Sequence, residues 1–173
     1  MKLSENNILT IEKSGAWMPG NSTMWEGSAP SSLLSYFEQL INHKVIEIGP
    51  GGHPVNKFYP CKEYEGVQPH ECYVPNIGGE DYILNDGLSF LREQPDSSAV
   101  VISLGVLDTL VLNFNAEYQN LNYKYIEEFA EEIKRVMNPF AIISSADAGR
   151  FMGLPDIARF DDQKYVGGIY FKK

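Results

Sequence analysis

The stretch Val45-Ile46-Glu47-Ile48-Gly49-Pro50-Gly51-Gly52-His53 constrains this chain more than any other. Val45 to Ile48 are apolar and β-branched except for one carboxylate, Glu47, a pattern that predicts a strand buried in a sheet. Glycines follow at once. Lacking Cβ, Gly49 and Gly51 allow a sharp turn and let a ligand approach the backbone closely. In an open parallel sheet, ligands bind in the crevice beyond the carboxyl ends of the strands. An apolar strand that stops at such a turn therefore marks a candidate binding site, provided the following chain supplies the other walls.

The following chain alternates strands and helices. Strands are expected at 64–68, 82–85, 99–103 and 140–144, the run Ala99-Val100-Val101-Ile102-Ser103 being apolar enough for burial on both faces. Helical spacing predicts helices over 31–43 and 88–94, and the best helix over 124–137. There Ile126, Phe129, Ala130, Ile133, Val136 and Met137 line one face and glutamates the other, a solvated face rather than an acidic site. Asn138-Pro139 is expected to end it. Between residues 54 and 60 there is room for only a turn or two of helix, yet the 48–64 crossover is long enough for a parallel connection. A tail with strands near 157–160 and 166–171 predicts an antiparallel hairpin at the C-terminal edge. The fold class is α/β, a doubly wound, mostly parallel sheet. Residues 31–173 form its single domain, and residues 1–30 an N-terminal extension. That extension carries Trp17 and Trp25, which either pin it to the body or close over a pocket as a lid.

Composition excludes several functions. A net charge of −9 repels phosphate backbones and argues against nucleic acid as the main partner. No apolar run is long enough to span a bilayer, and the N-terminus lacks the apolar core of a signal peptide, so a cytoplasmic location is expected. Cys61 and Cys72 are then free thiols. With His53 and His70 they lack the paired spacing of a structural zinc site, and no metal is expected. A nicotinamide dinucleotide is disfavoured too. The third glycine of its fingerprint is Pro54, and the acid expected after strand two is Gln68.

Taken in order, the motifs resemble those of class I S-adenosylmethionine-dependent methyltransferases, which have a Rossmann-like fold. Val45 to Gly51 is similar to that family's first motif. Gly66-Val67-Gln68-Pro69 stands where its second strand ends, and Asn85-Asp86-Gly87 where an acid meets the adenine. Val101 to Asp108 resembles the fourth-strand motif, and Ile133 to Pro139 the helix-to-strand-five turn. The likeness runs from about residue 31 to the C-terminus.

The resemblance implies S-adenosylmethionine or S-adenosylhomocysteine as ligand. Glu47 would face the amino and sulfonium groups through water, and Gly49 and Gly51 would pass beside the ribose and methionine portions. Asp86 and the amide near Gly87 would read the adenine, and the backbone of Ser103 or Leu104 would bind the ammonium. The alternative for Glu47 is a carboxylate capping backbone amides, and for Asp86 a helix N-cap, and the roles can coexist. Two positions depart from the family. Gln68 replaces the acid that takes both ribose hydroxyls, and Glu65, three residues earlier, points to the opposite face. His53 replaces the third glycine. Asp108, just past strand four, is the candidate base or acceptor-orienting residue, alternatively a helix cap, and Tyr118, Tyr123 and Tyr125 are candidates for the substrate wall. The expected function is methyl transfer to a small molecule or metabolite. A methyltransferase-like fold that has lost catalysis and serves as a binding or scaffold module stays open, as does homo-oligomerisation.

Overall fold

The computed structural model describes residues 35–50, 54–57, 59–68, 82–104, 106, 119–144, 152–153, 156–161 and 166–172. Seven strands form one sheet: β1 (Lys44–Ile48), β2 (Glu63–Gln68), β3 (Ile83–Leu84), β4 (Ala99–Leu104), β5 (Met137–Ser144), β6 (Asp156–Asp161) and β7 (Val166–Phe171). Their order across the sheet is β3-β2-β1-β4-β5-β7-β6. The first five are parallel, with Ile48 opposite Val67 on one side and Ser103 on the other. β7 runs antiparallel to both β5 and β6, the expected C-terminal hairpin. The chain winds outward from β1 through β2 to β3, then returns across β1 to β4 and β5. The strand order thus reverses between β1 and β4, which makes their carboxyl ends the topological switch point where ligands bind in such sheets.

Both faces of the sheet are covered. Ile46, Ile48, Val67 and Val101 pack beneath α1 (Gly87–Glu93) and α2 (Gln119–Val136), with Leu88, Leu91, Phe129 and Ile133 as the helical contribution. On the opposite face Val45, Val100, Ile102 and Ile142 meet Phe37, Leu40 and Val55. Alternate residues of one strand therefore enter different cores, which is why β1 and β4 are apolar at nearly every position. The glutamates of α2 do face outward, with Glu127 and Glu131 exposed and Glu128 paired to Arg92 at 2.7 Å.

Three boundaries differ from expectation. The 31–43 helix is described only from residue 35, and it tightens to a 3-10 segment, Glu38–Asn42, whose C-cap is His43. The second helix begins at Gln119 rather than 124. It ends at Val136, and β5 starts at once with no intervening loop. Met137 pairs with Ala99 and is 1% exposed, while the Asn138 amide donates to the Ser97 carbonyl at 2.9 Å. Tertiary pairing thus carries Asn138-Pro139 as strand. Among the described residues no helix is long and apolar enough to cross a membrane.

Candidate functional site

The turn after β1 is built as its glycine requires. Gly49 has φ +71°, the left-handed region that side chains with a Cβ disfavour, and its N–H extends the ladder to the Val67 carbonyl at 2.8 Å. A Cβ placed there would stand 2.4 Å from Val106 Cγ2. The close approach that Gly49 permits is therefore to the chain beyond β4, and it draws the ends of β1 and β4 together. Gly51 and His53 lie outside the described residues.

Glu47 is 2% exposed and opposes Gly66 and Ile102 in the sheet. A carboxylate in such surroundings needs donors. Its Oε2 accepts from the Val55 N–H at 2.8 Å and from the Tyr64 hydroxyl at 2.6 Å. Val55 opens the 3-10 turn Val55–Lys57 just beyond the glycines. Burial pushes the Glu47 carboxyl up to about 7, against the pull of these two hydrogen bonds. The same burial, with Glu47 nearby, pushes the half-buried Cys61 thiol up to about 12 and raises the Tyr64 phenol. Glu47 thus caps a backbone amide, the alternative that the sequence left open.

Gln68 closes β2 on the face that Glu47 occupies, and it is 2% exposed. Among the described residues its Nε2 has no hydrogen-bond partner, and neither has the hydroxyl of Ser103, 0% exposed at the end of β4, or Oδ1 of Asn56 in the 3-10 turn. A buried donor without an acceptor costs about 1–3 kcal/mol, so native folds seldom leave one without reason. These three orphans come from the segments that converge on the switch point. Glu65 lies on the other face as expected, paired to Lys44 at 2.8 Å.

Asp86 is the N-cap of α1: its Oδ2 accepts from Ser89 N at 2.9 Å, and its Oδ1 accepts from the Tyr125 hydroxyl. Burial and the Asp86 charge raise the Tyr125 phenol. Its ring stacks on Phe129 at 6.1 Å, so this tyrosine braces α1 against α2 and is not a free substrate wall. Gly87 is a packing glycine as well, since a Cβ there would stand 2.7 Å from Ile48 Cγ2. The Asn85 N–H bonds the Gln68 carbonyl at 3.2 Å, which ties the turn before α1 to the end of β2.

The structure therefore brings together Glu47, Gly49, Gln68, Asp86, Gly87, Ser103 and Leu104 at the carboxyl ends of neighbouring strands. Trp17, Trp25, Asp108, Tyr118, His70 and Cys72 lie outside the described residues, as does the side chain of Tyr123, whose backbone belongs to α2. Among the described residues no cluster of His, Cys, Asp or Glu is arranged to hold a metal. Sequence reasoning missed Tyr64 and Gly66 as site residues. Their Tyr-x-Gly spacing puts a reaching side chain and an empty position on one face of β2, a signal that can be read once Glu47 is known to need a donor.

Known structures share this architecture. A SAM dependent methyltransferase from Aquifex aeolicus superposes with a TM-score of 0.53 at 16% identity, over 94% of this chain and 96% of that one. A TehB-like SAM-dependent methyltransferase from Corynebacterium glutamicum gives 0.51 at 14%, over 82% and 92%. The bifunctional kinase-methyltransferase WbdD gives 0.55 at 11%, over 94% of this chain and 46% of WbdD. The fold is that of the class I S-adenosylmethionine-dependent methyltransferases. The chain spans about half the length of some proteins it matches, 49% in one case. No protein-family model matches the chain, and no curated protein is similar to it in sequence.

Proposed function

We propose that this chain binds S-adenosylmethionine at the carboxyl ends of β1, β2 and β4 and transfers its methyl group to a small-molecule acceptor. The observation that carries the reading is the buried amide of Gln68 at the end of β2, which has no partner among the described residues and lies beside the left-handed turn at Gly49. The ligand's chemistry fits these residues. A ribose hydroxyl is an acceptor for Gln68 Nε2, and the hydroxyl of Ser103 and the carbonyls at the end of β4 suit an ammonium. Asp86 keeps acceptor capacity beyond its two internal bonds, so it can read an adenine amino group, with the amide at Gly87 reading a ring nitrogen. Gly51 belongs to the same loop in this reading.

When bound, the cofactor supplies an electrophilic methyl on a sulfonium. The chain's task is to hold that methyl in line with an acceptor and keep water out. Trp17 and Trp25 are assigned to the pocket mouth, Tyr123 to the acceptor side, and Asp108 to orienting the acceptor or removing its proton. A cytoplasmic setting, a small-molecule partner and room for self-association belong to the same proposal.

Two observations favour the second reading, a binding module without catalysis. Gln68 offers no carboxylate to the ribose, and the Glu47 carboxyl is drawn into the fold by Tyr64 and Val55. A thermal-shift series with S-adenosylmethionine, followed by an assay for S-adenosylhomocysteine release in metabolite pools, separates the readings. At about 100 times the dissociation constant the native state gains about 2.7 kcal/mol, a rise in melting temperature of about 5–11 °C. A shift with release of the product supports the enzyme, and a shift with no turnover supports the module. No shift at millimolar ligand refutes both.

A further inference from the structure

We propose that Tyr64 is a positioning residue: by holding Glu47 on the Val55 amide it fixes the far end of the glycine turn against β1, and so shapes the nucleoside site. The inference rests on the functional reading above for its effect on ligand, but not for its effect on the turn.

The geometry is a closed clamp. Glu47 lies in β1, and its acceptor bond to Val55 N, at 2.8 Å, spans eight residues and ties the start of the 3-10 turn back to β1. The second bond, 2.6 Å from the Tyr64 hydroxyl, reaches the same oxygen from β2. In the ladder Tyr64 stands opposite Val45, not Glu47, so its side chain must lean along its own strand. The residue it leans across is Gly66, directly opposite Glu47. A Cβ at Gly66 would stand 2.9 Å from the Tyr64 oxygen and 2.8 Å from Tyr82 Cδ1. The missing side chain at 66 is thus what admits the tyrosine to the carboxylate.

The clamp is strongest when Glu47 is ionised, since hydrogen bonds to a charged acceptor are about twice as strong as those to a neutral carboxyl. Among the described residues the titratable groups facing it are Tyr64 from β2 and Cys61 just before β2, with Tyr82 behind Tyr64. Among the described residues no cation is paired with it. Cys61 is pushed up to about 12 and Tyr64 is raised, so Glu47, at about 7, is the member of this group that titrates near neutrality. Ligand affinity should then rise with pH through about 7, as the turn becomes fixed. Removing the Tyr64 hydroxyl removes a bond that favours the ionised form, so the acid limb should move upward.

The test uses the full chain, with amide hydrogen exchange at Val55 and calorimetric titration with S-adenosylhomocysteine between pH 6 and 8.5, on wild type, Tyr64→Phe and Glu47→Gln. The expected result for Tyr64→Phe is exchange at Val55 faster by about tenfold at pH 8, with an acid limb of affinity displaced upward by roughly a pH unit. Glu47→Gln, which preserves shape, should abolish the limb. Unchanged protection at Val55 in Tyr64→Phe overturns the proposal, and so does an affinity loss equal at every pH, the mark of a merely structural role. Should Tyr64→Phe fail to fold, persistence of the acid limb in Glu47→Gln overturns it instead. If wild type binds no S-adenosylhomocysteine, the functional reading fails, while exchange at Val55 still decides whether Tyr64 fixes the turn.

Discussion

Replacing Glu47 by glutamine should reverse the usual expectation for losing a buried carboxylate. In the unfolded chain this carboxyl titrates near its ordinary 4.5, and in the fold burial moves it to about 7. Between these values the folded state keeps a proton that the unfolded state has released. By linkage, Glu47's contribution is therefore fully present below about 4.5 and is lost as pH rises to about 7. At 1.36 kcal/mol per pH unit the displacement corresponds to about 3 kcal/mol. Glu47→Gln cannot ionise, so relative to wild type it should gain up to about 3 kcal/mol between pH 4.5 and 8. Cys61 is pushed from 9.0 to about 12 and stays outside this window. Urea unfolding at pH 4.5, 5.5, 6.5, 7.5 and 8 reads the difference directly. With m-values of about 1–3 kcal/mol per molar urea, the relative midpoints should diverge by roughly 1 M or more. Wild-type and variant profiles that run parallel across this range would refute the assigned burial and its sign. Glu47 is thus a compromise, since the ionised form that grips the turn best is the form that weakens the fold.

Gly49→Ala should lose about 2–4 kcal/mol in a thermal melt, combining left-handed backbone strain with a Cβ at 2.4 Å from Val106 Cγ2, and a loss below about 0.5 kcal/mol would refute the turn geometry. Gln68→Glu should tighten S-adenosylhomocysteine by about 1–2 kcal/mol in calorimetry while lowering the stability of the ligand-free protein, because the new charge is buried unpaired until a ribose arrives. Unchanged or weaker binding would remove Gln68 from the ribose. Both tryptophans of the chain lie within residues 1–30, so ligand titration should quench or shift the emission if this segment closes the site. A calorimetrically saturated titration with unaltered emission would exclude the lid.

The sheet was readable because its cores demand it. Strands buried on both faces must be apolar throughout, as β1 and β4 are, and α2 shows its helical period because one side meets the sheet and the other water. Boundaries set by tertiary pairing were not readable. Nothing local in Met137-Asn138-Pro139 announces a strand, and its pairing with Ala99 is a contact made across the fold. In the site, the positions of Glu47, Gln68 and Asp86 followed from strand order, but their partners did not. Tyr64 reaches Glu47 across Gly66, and Tyr125 reaches Asp86 from a helix 39 residues away. Such pairs depend on which elements become neighbours, and hydrophobic period alone does not report that. Asp86 caps α1 and keeps acceptor capacity beyond that bond, so the proposed ligand contact does not compete with the cap.

The central claim, that a nucleoside ligand sits at the reversal of strand order between β1 and β4, is tested most directly by two-dimensional amide spectra of the labelled protein titrated with S-adenosylhomocysteine. The account predicts saturable shifts that cluster at Gly49, Val55, Gln68, Asp86, Gly87, Ser103 and Leu104, with β6 and β7 undisturbed. Saturation without shifts at these strand ends, or shifts centred on the β6–β7 hairpin, would contradict it.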